Sequence, residues 1–248
     1  CSSNRGQAYL FMNKQRRKFL QVGSMLGLGA AIFPFEVAAR SFDAAKLSKF
    51  GIQLYSVKEE MAKDAAATMR KLAEFGYKQF EGFDGGKGIL WGMQPAECKT
   101  LLSDIGVDFV SSHANVFKDL DSQAEQAAAV GMKYLICPYY GAQKTVDDWK
   151  KAADKFNEAG ATLKSHGLKF DMYWSYVAGY DPLEYVAKFP GRFKLCHVKD
   201  AEAASSDAHD RGVLLGTGEI VYADIIKKSK KYGMEYFIVE QERFVGTN

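Results

Sequence analysis

Proline, cysteine and histidine are scarce in this sequence of 248 residues, which has 5 Pro, 4 Cys and 4 His. With 23 Gly among the remainder, these counts exclude collagen-like chains, low-complexity chains and small scaffolds held together by disulfides. Disorder is also excluded, because 47% of the residues are apolar and 25% are charged. The length and composition are those of a globular protein with one large domain or two small ones.

The excess of positive charge is confined to the first 39 residues. That segment carries five Lys and Arg residues against a single acidic residue, Glu36, whereas residues 40–248 hold 28 basic and 29 acidic side chains. Residues 40–248 thus have a net charge of −1, which gives them no electrostatic preference for nucleic acid or for anionic lipid. We therefore expect no nucleic-acid partner, and no membrane contact beyond the leader described next.

Residues 1–39 are expected to be upstream residues and a signal peptide, followed by a single domain over residues 40–248. Arg16 and Arg17 lie in a basic stretch, a glycine-rich apolar run extends from Val22 to Phe35, and Val37-Ala-Ala39 has the small residues of a cleavage site. The apolar run is too short and too rich in glycine for a stable membrane span. The paired arginines resemble a twin-arginine signal, which predicts export of the folded protein to the periplasm.

The three cysteines of residues 40–248 follow no close-spaced ligand pattern. Cys98, Cys137 and Cys196 each lie in an apolar stretch of sequence. This context predicts three small buried side chains rather than a metal site or a disulfide framework.

From residue 49 onward, short β-rich runs alternate with longer helical ones. The helical runs have apolar residues at helical spacing and end at glycines, as in the helix predicted from Pro95 to Ile105 before Gly106. Thr145 and Asp148 have the spacing of a capping box and predict a helix from there to His166. The strands are predicted at residues 50–57, 78–83, 107–116, 132–140, 168–174, 193–200 and 234–240.

This alternation predicts an α/β fold with parallel strands joined by right-handed crossovers. No Gly-x-Gly-x-x-Gly motif follows the first strand, which disfavours a dinucleotide-binding sheet and favours a (β/α)-barrel. A complete barrel of this kind has eight strands, and the sequence predicts seven, with residues 241–248 after the last. We therefore expect a barrel that lacks about one β/α unit and the final helix.

Functional residues of such barrels lie at the carboxyl ends of the strands. The polar residues at those positions are Gln53, Tyr55, Glu81, Asp84, His113, Asn115, Tyr139, Tyr140, Asp171, Trp174, His197, Lys199, Asp200, Glu240 and Glu242. Carboxylate and imidazole ligands together suit one divalent metal such as Mn²⁺, Mg²⁺, Zn²⁺ or Co²⁺, which can polarise the carbonyl and hydroxyl of a sugar. Alternatively, His197 is a satisfied core histidine, and Asp171 and Glu240 pair with cations such as Lys199.

An ordered set of motifs resembles the sugar phosphate isomerase/epimerase family, from about Phe50 to Gln241. The motifs are Gly51-Ile-Gln-Leu-Tyr-Ser-Val-Lys58, Gly76-Tyr-Lys-Gln-Phe-Glu81, Ser111-Ser-His113, Asp171-Met-Tyr-Trp174, Gly179-Tyr-Asp-Pro182, His197-Val-Lys-Asp200, Gly216-Thr-Gly-Glu219 and Val239-Glu-Gln241. The resemblance implies a TIM barrel of the xylose-isomerase-like type.

The resemblance also implies one divalent metal held by Glu, Asp, His and Glu from the last four strands. Asp171, His197 and Glu240 match the second, third and fourth ligands, and Glu240 would in addition exchange a proton with the sugar carbon. The segment that carries the first Glu belongs between Phe170 and Asp171 and is not in this sequence. We expect His113, Trp174 and Lys199, also at strand ends, to bind the substrate.

The function implied by the resemblance is a divalent-metal-dependent isomerase or epimerase that moves protons next to the carbonyl of a small-molecule sugar or sugar phosphate. Two alternatives stay open: a keto-sugar lyase or hydratase using the same site, and a non-catalytic carbohydrate-binding remnant. A metal-dependent endonuclease is disfavoured by the net charge of residues 40–248 and by the small number of histidines.

Overall fold

The computed structural model describes residues 49–141, 144–162, 168–171, 181–201 and 212–242. The predicted leader lies outside these residues, so the signal peptide, the export and the domain boundary at residue 40 stay predictions. Among the described residues, no helix combines the length and the hydropathy needed to cross a membrane.

Strands and helices alternate along the described chain. The strands are β1 Gly51–Gln53, β2 Gln79–Gly82, β3 Asp108–His113, β4 Tyr134–Ile136, β5 Leu168–Asp171, β6 Phe193–Val198, β7 Asp200–Ala201, β8 Gly212–Val213 and β9 Tyr236–Val239. The helices are α1 Lys58–Lys63, α2 Ala65–Glu74, α3 Pro95–Ile105, α4 Leu120–Val130, α5 Val146–Thr162, α6 Pro182–Lys188 and α7 Tyr222–Lys231, and a 3₁₀ turn covers Leu54–Val57.

Seven of the strands form one parallel sheet in the order β4-β3-β2-β1-β9-β6-β5. The prediction of seven parallel strands is therefore confirmed, and the last strand, β9, pairs with the first, β1, as in a closing barrel. In the described part of the chain, β4 and β5 form the two edges of the sheet. Among the described residues the sheet is thus open between β4 and β5, whereas the sequence places the missing segment within β5, between Phe170 and Asp171.

The predicted helices match closely, but the first and fourth predicted strands are less than half as long as expected. The first strand stops at Gln53, because its side chain accepts a hydrogen bond from the Tyr55 amide and starts the 3₁₀ turn. The fourth begins late, because the Met132 amide donates to the Ala127 carbonyl and completes the end of α4 around Gly131, whose φ is +83°.

The inner face of the sheet changes from apolar to polar towards the carboxyl ends of the strands. On β6 the alternation puts Leu195 and His197 on one face, and on β9 it puts Tyr236 and Ile238 there, in register with them. Leu195, Tyr236 and Ile238 belong to a small buried apolar cluster with Val110 and Ile136, and the other strand faces pack against the helices. A layer of polar side chains at the carboxyl ends of the strands therefore lies next to a layer of apolar side chains inside the sheet.

The cysteine prediction is confirmed for two of the three residues. Cys98 and Cys196 are completely buried among apolar neighbours. Cys137 is half-buried instead, because it follows β4 at the edge of the sheet, where its thiol contacts the Tyr139 carbonyl at 3.4 Å. All three are free thiols.

Candidate active site

A buried polar cluster lies at the carboxyl ends of the central strands. It contains Gln53 from β1, Glu81 from β2, His113 from β3, His197 from β6, and Glu240 directly after β9. Gln53 pairs with Glu81 in the sheet register, and the backbone amide of Glu240 donates to the carbonyl of Val198. The cluster thus occupies the end of the barrel at which TIM-barrel enzymes carry their active sites.

Glu81 is the centre of this cluster and is completely buried. Its Oε1 atom lies 2.7 Å from Nε2 of Gln53, 2.6 Å from Nε2 of His197 and 3.1 Å from Nε2 of His113. Its Oε2 atom accepts a hydrogen bond of 2.8 Å from the Ser111 hydroxyl. Burial of a carboxylate is costly without such partners, so these contacts are what allow a charged Glu81 at this position.

His197 joins the two carboxylates of the cluster. Its Nε2 atom faces Glu81, while its Nδ1 atom contacts Oε2 of Glu240. The same oxygen of Glu240 lies 2.9 Å from the Nζ atom of Lys199, which is itself 3.2 Å from Oε1 of Glu242. Lys199 therefore provides a buried positive charge beside the carboxylate that the resemblance identifies as a catalytic group.

The strand end that carries Lys199 is fixed by its main chain. The Lys199 amide donates to the Tyr222 hydroxyl at 3.0 Å, and that hydroxyl also contacts the Lys199 carbonyl. On the neighbouring strand, the Gln241 amide donates to the Ser56 hydroxyl at 2.9 Å. Both backbone segments of the Lys199–Glu240 pair are thereby held by buried hydroxyl groups.

Asp200 organises the loop that runs beside the cluster. Its carboxylate accepts hydrogen bonds of 2.9 to 3.3 Å from four backbone amides, those of Ala201, Gly216, Gly218 and Ile220. A Cβ atom on Gly218 would collide with the Asp200 side chain, so glycine is required there. The backbone of the Gly216-Thr-Gly-Glu219 motif accordingly surrounds the Asp200 carboxylate.

The structure brings together four of the residues singled out from the sequence, namely His113, His197, Lys199 and Glu240. Asp171 pairs with His197 in the β5–β6 register, but its side chain lies outside the described residues, as does the whole of Trp174. The contact of Glu240 with Lys199 is the cation pairing considered as the alternative for that carboxylate. The roles assigned to these residues as ligands, base and substrate contacts stay predictions.

Sequence reasoning placed Glu81 and Gln53 at strand ends but gave them no role, and it did not single out the hydroxyl of Ser111. The available signal was a carboxylate between Phe80 and Phe83, at the carboxyl end of the strand predicted at residues 78–83. A glutamate is rarely buried unless it is paired, so Glu81 was as good a candidate for a site residue as Glu240.

Three of the clustered side chains form a donor set that fits a divalent metal. One ligand atom each from Glu81, His113 and His197 lies within 4.8 Å of the others, and the first and last of these residues are buried. Two imidazoles and one carboxylate are ligands of zinc and of neighbouring divalent metals. The residues of the site therefore suit the divalent metal ion predicted from the sequence. They do not identify which metal it is.

A separate cavity of about 560 Å³ lies at the opposite end of the sheet. Its walls include Gln79, Asp108, Lys133 and Tyr236, at or just before the amino ends of their strands. Conserved chemistry in barrels of this kind is not found at that end, where side chains serve stability. The polar cluster and not this cavity is therefore the candidate active site.

No protein-family model matches the sequence, and no curated protein matches it either. Solved structures do match. A sugar phosphate isomerase/epimerase from Parabacteroides distasonis ATCC 8503 has 24% identity and a TM-score of 0.64, over 79% of this chain and 91% of that one. The 3-keto-D-glucoside 4-epimerase of E. coli has 13% identity and a TM-score of 0.59, over 79% and 92% of the two chains.

The IOLI protein, solved with a bound zinc atom, has 15% identity and a TM-score of 0.59, over 80% of this chain and 91% of that one. Similar structures also include a probable 3-DHS dehydratase from Bacillus anthracis and an AP endonuclease, family 2, from Brucella melitensis. These identities establish the fold and leave the reaction open. The chain has the xylose-isomerase-like TIM-barrel fold of the sugar phosphate isomerase/epimerase structures, with its parallel sheet open between β4 and β5.

Proposed function

We propose that this protein is a sugar or sugar phosphate isomerase or epimerase that moves a proton at the carbon next to a carbonyl group. The observation that carries the proposal is the placement of two carboxylates, Glu81 and Glu240, on either side of the His197 ring in one buried cluster. Proton transfer at both faces of a sugar carbon needs two positioned groups. Glu81 supplies the second carboxylate that was missing from the set implied by the sequence resemblance.

The chemistry required is removal of a weakly acidic proton and return of a proton to the resulting enediolate. A carboxylate takes the proton from the carbon, the electron pair of the C–H bond moves into the C–C–O system, and a carboxylic acid then returns a proton to carbon. The reaction has no net redox change. Charge that develops on the substrate oxygen would be stabilised by the ammonium of Lys199, which lies beside Glu240.

A divalent metal, when bound, would polarise the carbonyl and hydroxyl oxygens of the sugar. The residues that suit it are the donor set of Glu81, His113 and His197, or the set of Asp171, His197 and Glu240 implied by the resemblance. The known fold relatives support a small-molecule sugar as the substrate, since they include an isomerase/epimerase and a keto-glucoside epimerase.

Proton exchange with solvent gives a direct test. The purified protein would be incubated in D₂O with a panel of aldoses, ketoses, keto-glucosides and their phosphates, in the presence of Mn²⁺, Mg²⁺, Zn²⁺ or Co²⁺. We expect deuterium at the carbon next to the carbonyl of at least one sugar, measured by NMR or mass spectrometry. Glu240→Gln should slow this incorporation by about 100-fold or more, the usual contribution of a general base.

The control is Glu235→Gln, which removes a half-exposed carboxylate paired with Lys194 at the other end of β9. It should leave incorporation unchanged. Loss of water from a keto-sugar without epimerisation would replace the proposal by the lyase or hydratase alternative. Binding of sugars without any deuterium incorporation would identify a carbohydrate-binding remnant.

An endonuclease is the weakest alternative, although an AP endonuclease is among the structures with this fold. Residues 40–248 carry a net charge of −1, and the candidate site contains two buried carboxylates. Neither feature attracts a polyanionic duplex. Absence of binding to an abasic-site duplex at low salt is the result expected.

A further inference from the structure

We propose that the cavity at the amino ends of β2 and β3 binds a small organic anion, a phosphate monoester or a carboxylate, at a site separate from the candidate active site. The cavity has a volume of about 560 Å³, which is within the range of pockets that hold small molecules. The inference concerns binding only and does not depend on the proposed function. It gives a role to polar side chains that the isomerase chemistry does not use.

Gln79 is a buried polar residue in the wall of this cavity. It lies two residues before Glu81 on β2, so the alternation of the strand directs both side chains to the inside of the sheet. Gln79 is only 7% exposed, and its side-chain amide has no hydrogen-bond partner among the described residues. Because an unpaired buried amide is unfavourable, a ligand that pairs with it would gain affinity at this position.

Lys133 and Tyr236 present further hydrogen-bond donors to the cavity. The Lys133 ammonium donates to the Tyr236 hydroxyl oxygen at 2.8 Å, and in the described part of the chain that hydroxyl has no acceptor for its own proton. The hydrogen bond to Tyr236 also raises the pKa of Lys133, so the ammonium is charged at neutral pH. One O–H group and two N–H groups therefore remain for the oxygen atoms of a ligand.

The charges around the cavity favour an anion. Lys49, Lys99 and Lys133 line it together with one carboxylate, that of Asp108. Lys49 lies 2.7 Å from Asp108 and neutralises it, and the nearby carboxylate of Glu235 is paired with a different lysine. Among the described residues, no carboxylate lies within ion-pair distance of Lys99 or Lys133. Two positive charges are therefore available to a ligand.

Two helix ends also border the cavity, but their carbonyl groups are already engaged. Gly106 and Gly131, which follow the last residues of α3 and α4, both line the cavity. The backbone amides of these glycines, and of the residue after each of them, donate hydrogen bonds to carbonyls in the last turn of the helix. The partial negative charge of the helix ends is thereby reduced, and it does not cancel the charge of the two lysines.

The remaining wall suits the carbon skeleton of an organic anion. Leu102, Val110 and Val130 line the cavity and are each less than 10% exposed. Pockets for small molecules typically combine such apolar surface with a few polar groups that fix the orientation of the ligand. We expect the anionic group at Lys133 and Tyr236.

Binding of three hexitol derivatives to the full chain tests the inference. Glucitol 6-phosphate and gluconate represent the phosphate and the carboxylate, and glucitol is the neutral control. None of them has an aldehyde or ketone group, so none is a substrate of the proposed isomerase. Calorimetry at constant ionic strength should show one site per chain for at least one of the two anions. That anion should bind at least about 10-fold more tightly than glucitol, as expected for hydrogen bonds between charged groups. The tighter of the two anions identifies the chemical group that the site recognises.

Substitutions in the cavity should weaken this binding. Lys133→Met and Gln79→Leu should each lower the affinity for the anion by about 10-fold. Gln79→Leu should do so without lowering the urea concentration at the midpoint of unfolding, because the amide has no hydrogen bond to lose within the described residues. Two controls should leave the affinity unchanged: Lys63→Met, at an exposed lysine of α1, and Glu240→Gln, in the candidate active site.

Far-ultraviolet circular dichroism would establish that each variant is folded, and Gln79→Met would replace Gln79→Leu if the latter were not. Weakening by Glu240→Gln but not by Lys133→Met would locate the anion in the candidate active site and overturn the inference. So would equal affinities for glucitol and the anions, equal losses in the Lys63 and Lys133 variants, or no binding of either anion by the wild-type chain. Anion binding as expected, without deuterium exchange on any sugar, would contradict the proposed function alone.

Discussion

The Nε2 atom of His197 lies 2.6 Å from Oε1 of Glu81, although β1 and β9 separate the strands that carry these residues. In a flat sheet the two strands would be about 14 Å apart, three spacings of about 4.8 Å. The side chains meet because the sheet curls, so the contact exists only in a barrel-like arrangement. An open barrel therefore still provides the concave surface on which the candidate site depends.

Loss of the positive charge beside Glu240 should be strongly destabilising. Lys199→Met leaves Glu240 buried next to His197 without its ammonium partner, and we expect the free energy of unfolding to fall by about 3 kcal/mol. Urea denaturation would measure this change. Lys194→Met removes a more exposed lysine, paired with Glu235, and should cost less than about 1 kcal/mol. Equal effects of the two substitutions would show that Lys199 is not part of a buried ion pair.

Asp200→Asn should loosen the loop from Leu214 to Ile220. The asparagine retains one acceptor oxygen but turns its NH₂ group towards backbone donors, so two of the four hydrogen bonds are replaced by donor–donor contacts. We expect a loss of about 2–3 kcal/mol and faster hydrogen exchange at Gly216, Gly218 and Ile220. Asp147→Asn, at an exposed ion pair of α5, is the matched control and should change neither quantity.

The buried phenol of Tyr77 should make the folded state less stable at alkaline pH. Burial raises the pKa of its phenol well above the ordinary value, and its hydroxyl has no hydrogen-bond partner among the described residues. The folded state keeps the neutral phenol whereas the unfolded chain ionises near pH 10, so stability is full below about pH 10 and falls as the pH rises above it.

At pH 7 the free energy of unfolding of Tyr77→Phe should therefore exceed that of the wild type by about 1 kcal/mol, because the substitution removes a buried polar group without a partner. Its advantage should grow by about 1.4 kcal/mol per pH unit above pH 10. Urea unfolding at pH 7, 10 and 11 would measure both effects. Tyr139→Phe, at an exposed tyrosine, should not reproduce them, and an advantage that shrinks with pH would contradict the argument.

Cys98 should be unreactive in the folded protein. Burial, together with the nearby Glu97 carboxylate, raises the pKa of its thiol to about 11, so about one molecule in a thousand is a thiolate at pH 8. Labelling with iodoacetamide, followed by peptide mapping, should modify the half-buried Cys137 before Cys98. Rapid labelling of Cys98 without denaturant would show that α3 is not packed as described.

Local sequence features were sufficient to predict the parallel α/β architecture. The bounds of α3 and α4 follow from proline at a first turn and from glycine after each last turn, and the capping box of Thr145 and Asp148 is formed by reciprocal hydrogen bonds. These signals act between residues close in the chain, so they do not depend on the rest of the molecule. The count of seven strands could be predicted for the same reason, whereas the position of the missing segment, between Phe170 and Asp171, came from the family resemblance.

The partners of the site residues were decided by the tertiary structure. The sequence identified His197 and Glu240 as strand-end residues, but the pairing of Glu240 with Lys199, and of Asp200 with four backbone amides, depends on side-chain direction at adjacent strand ends. The role of Glu81 depends on the curl of the sheet, which brings together residues 116 positions apart. Alternation along a strand is local and can therefore tell which residues are buried. Which buried charges meet is determined only by the curvature of the sheet across β2, β1, β9 and β6.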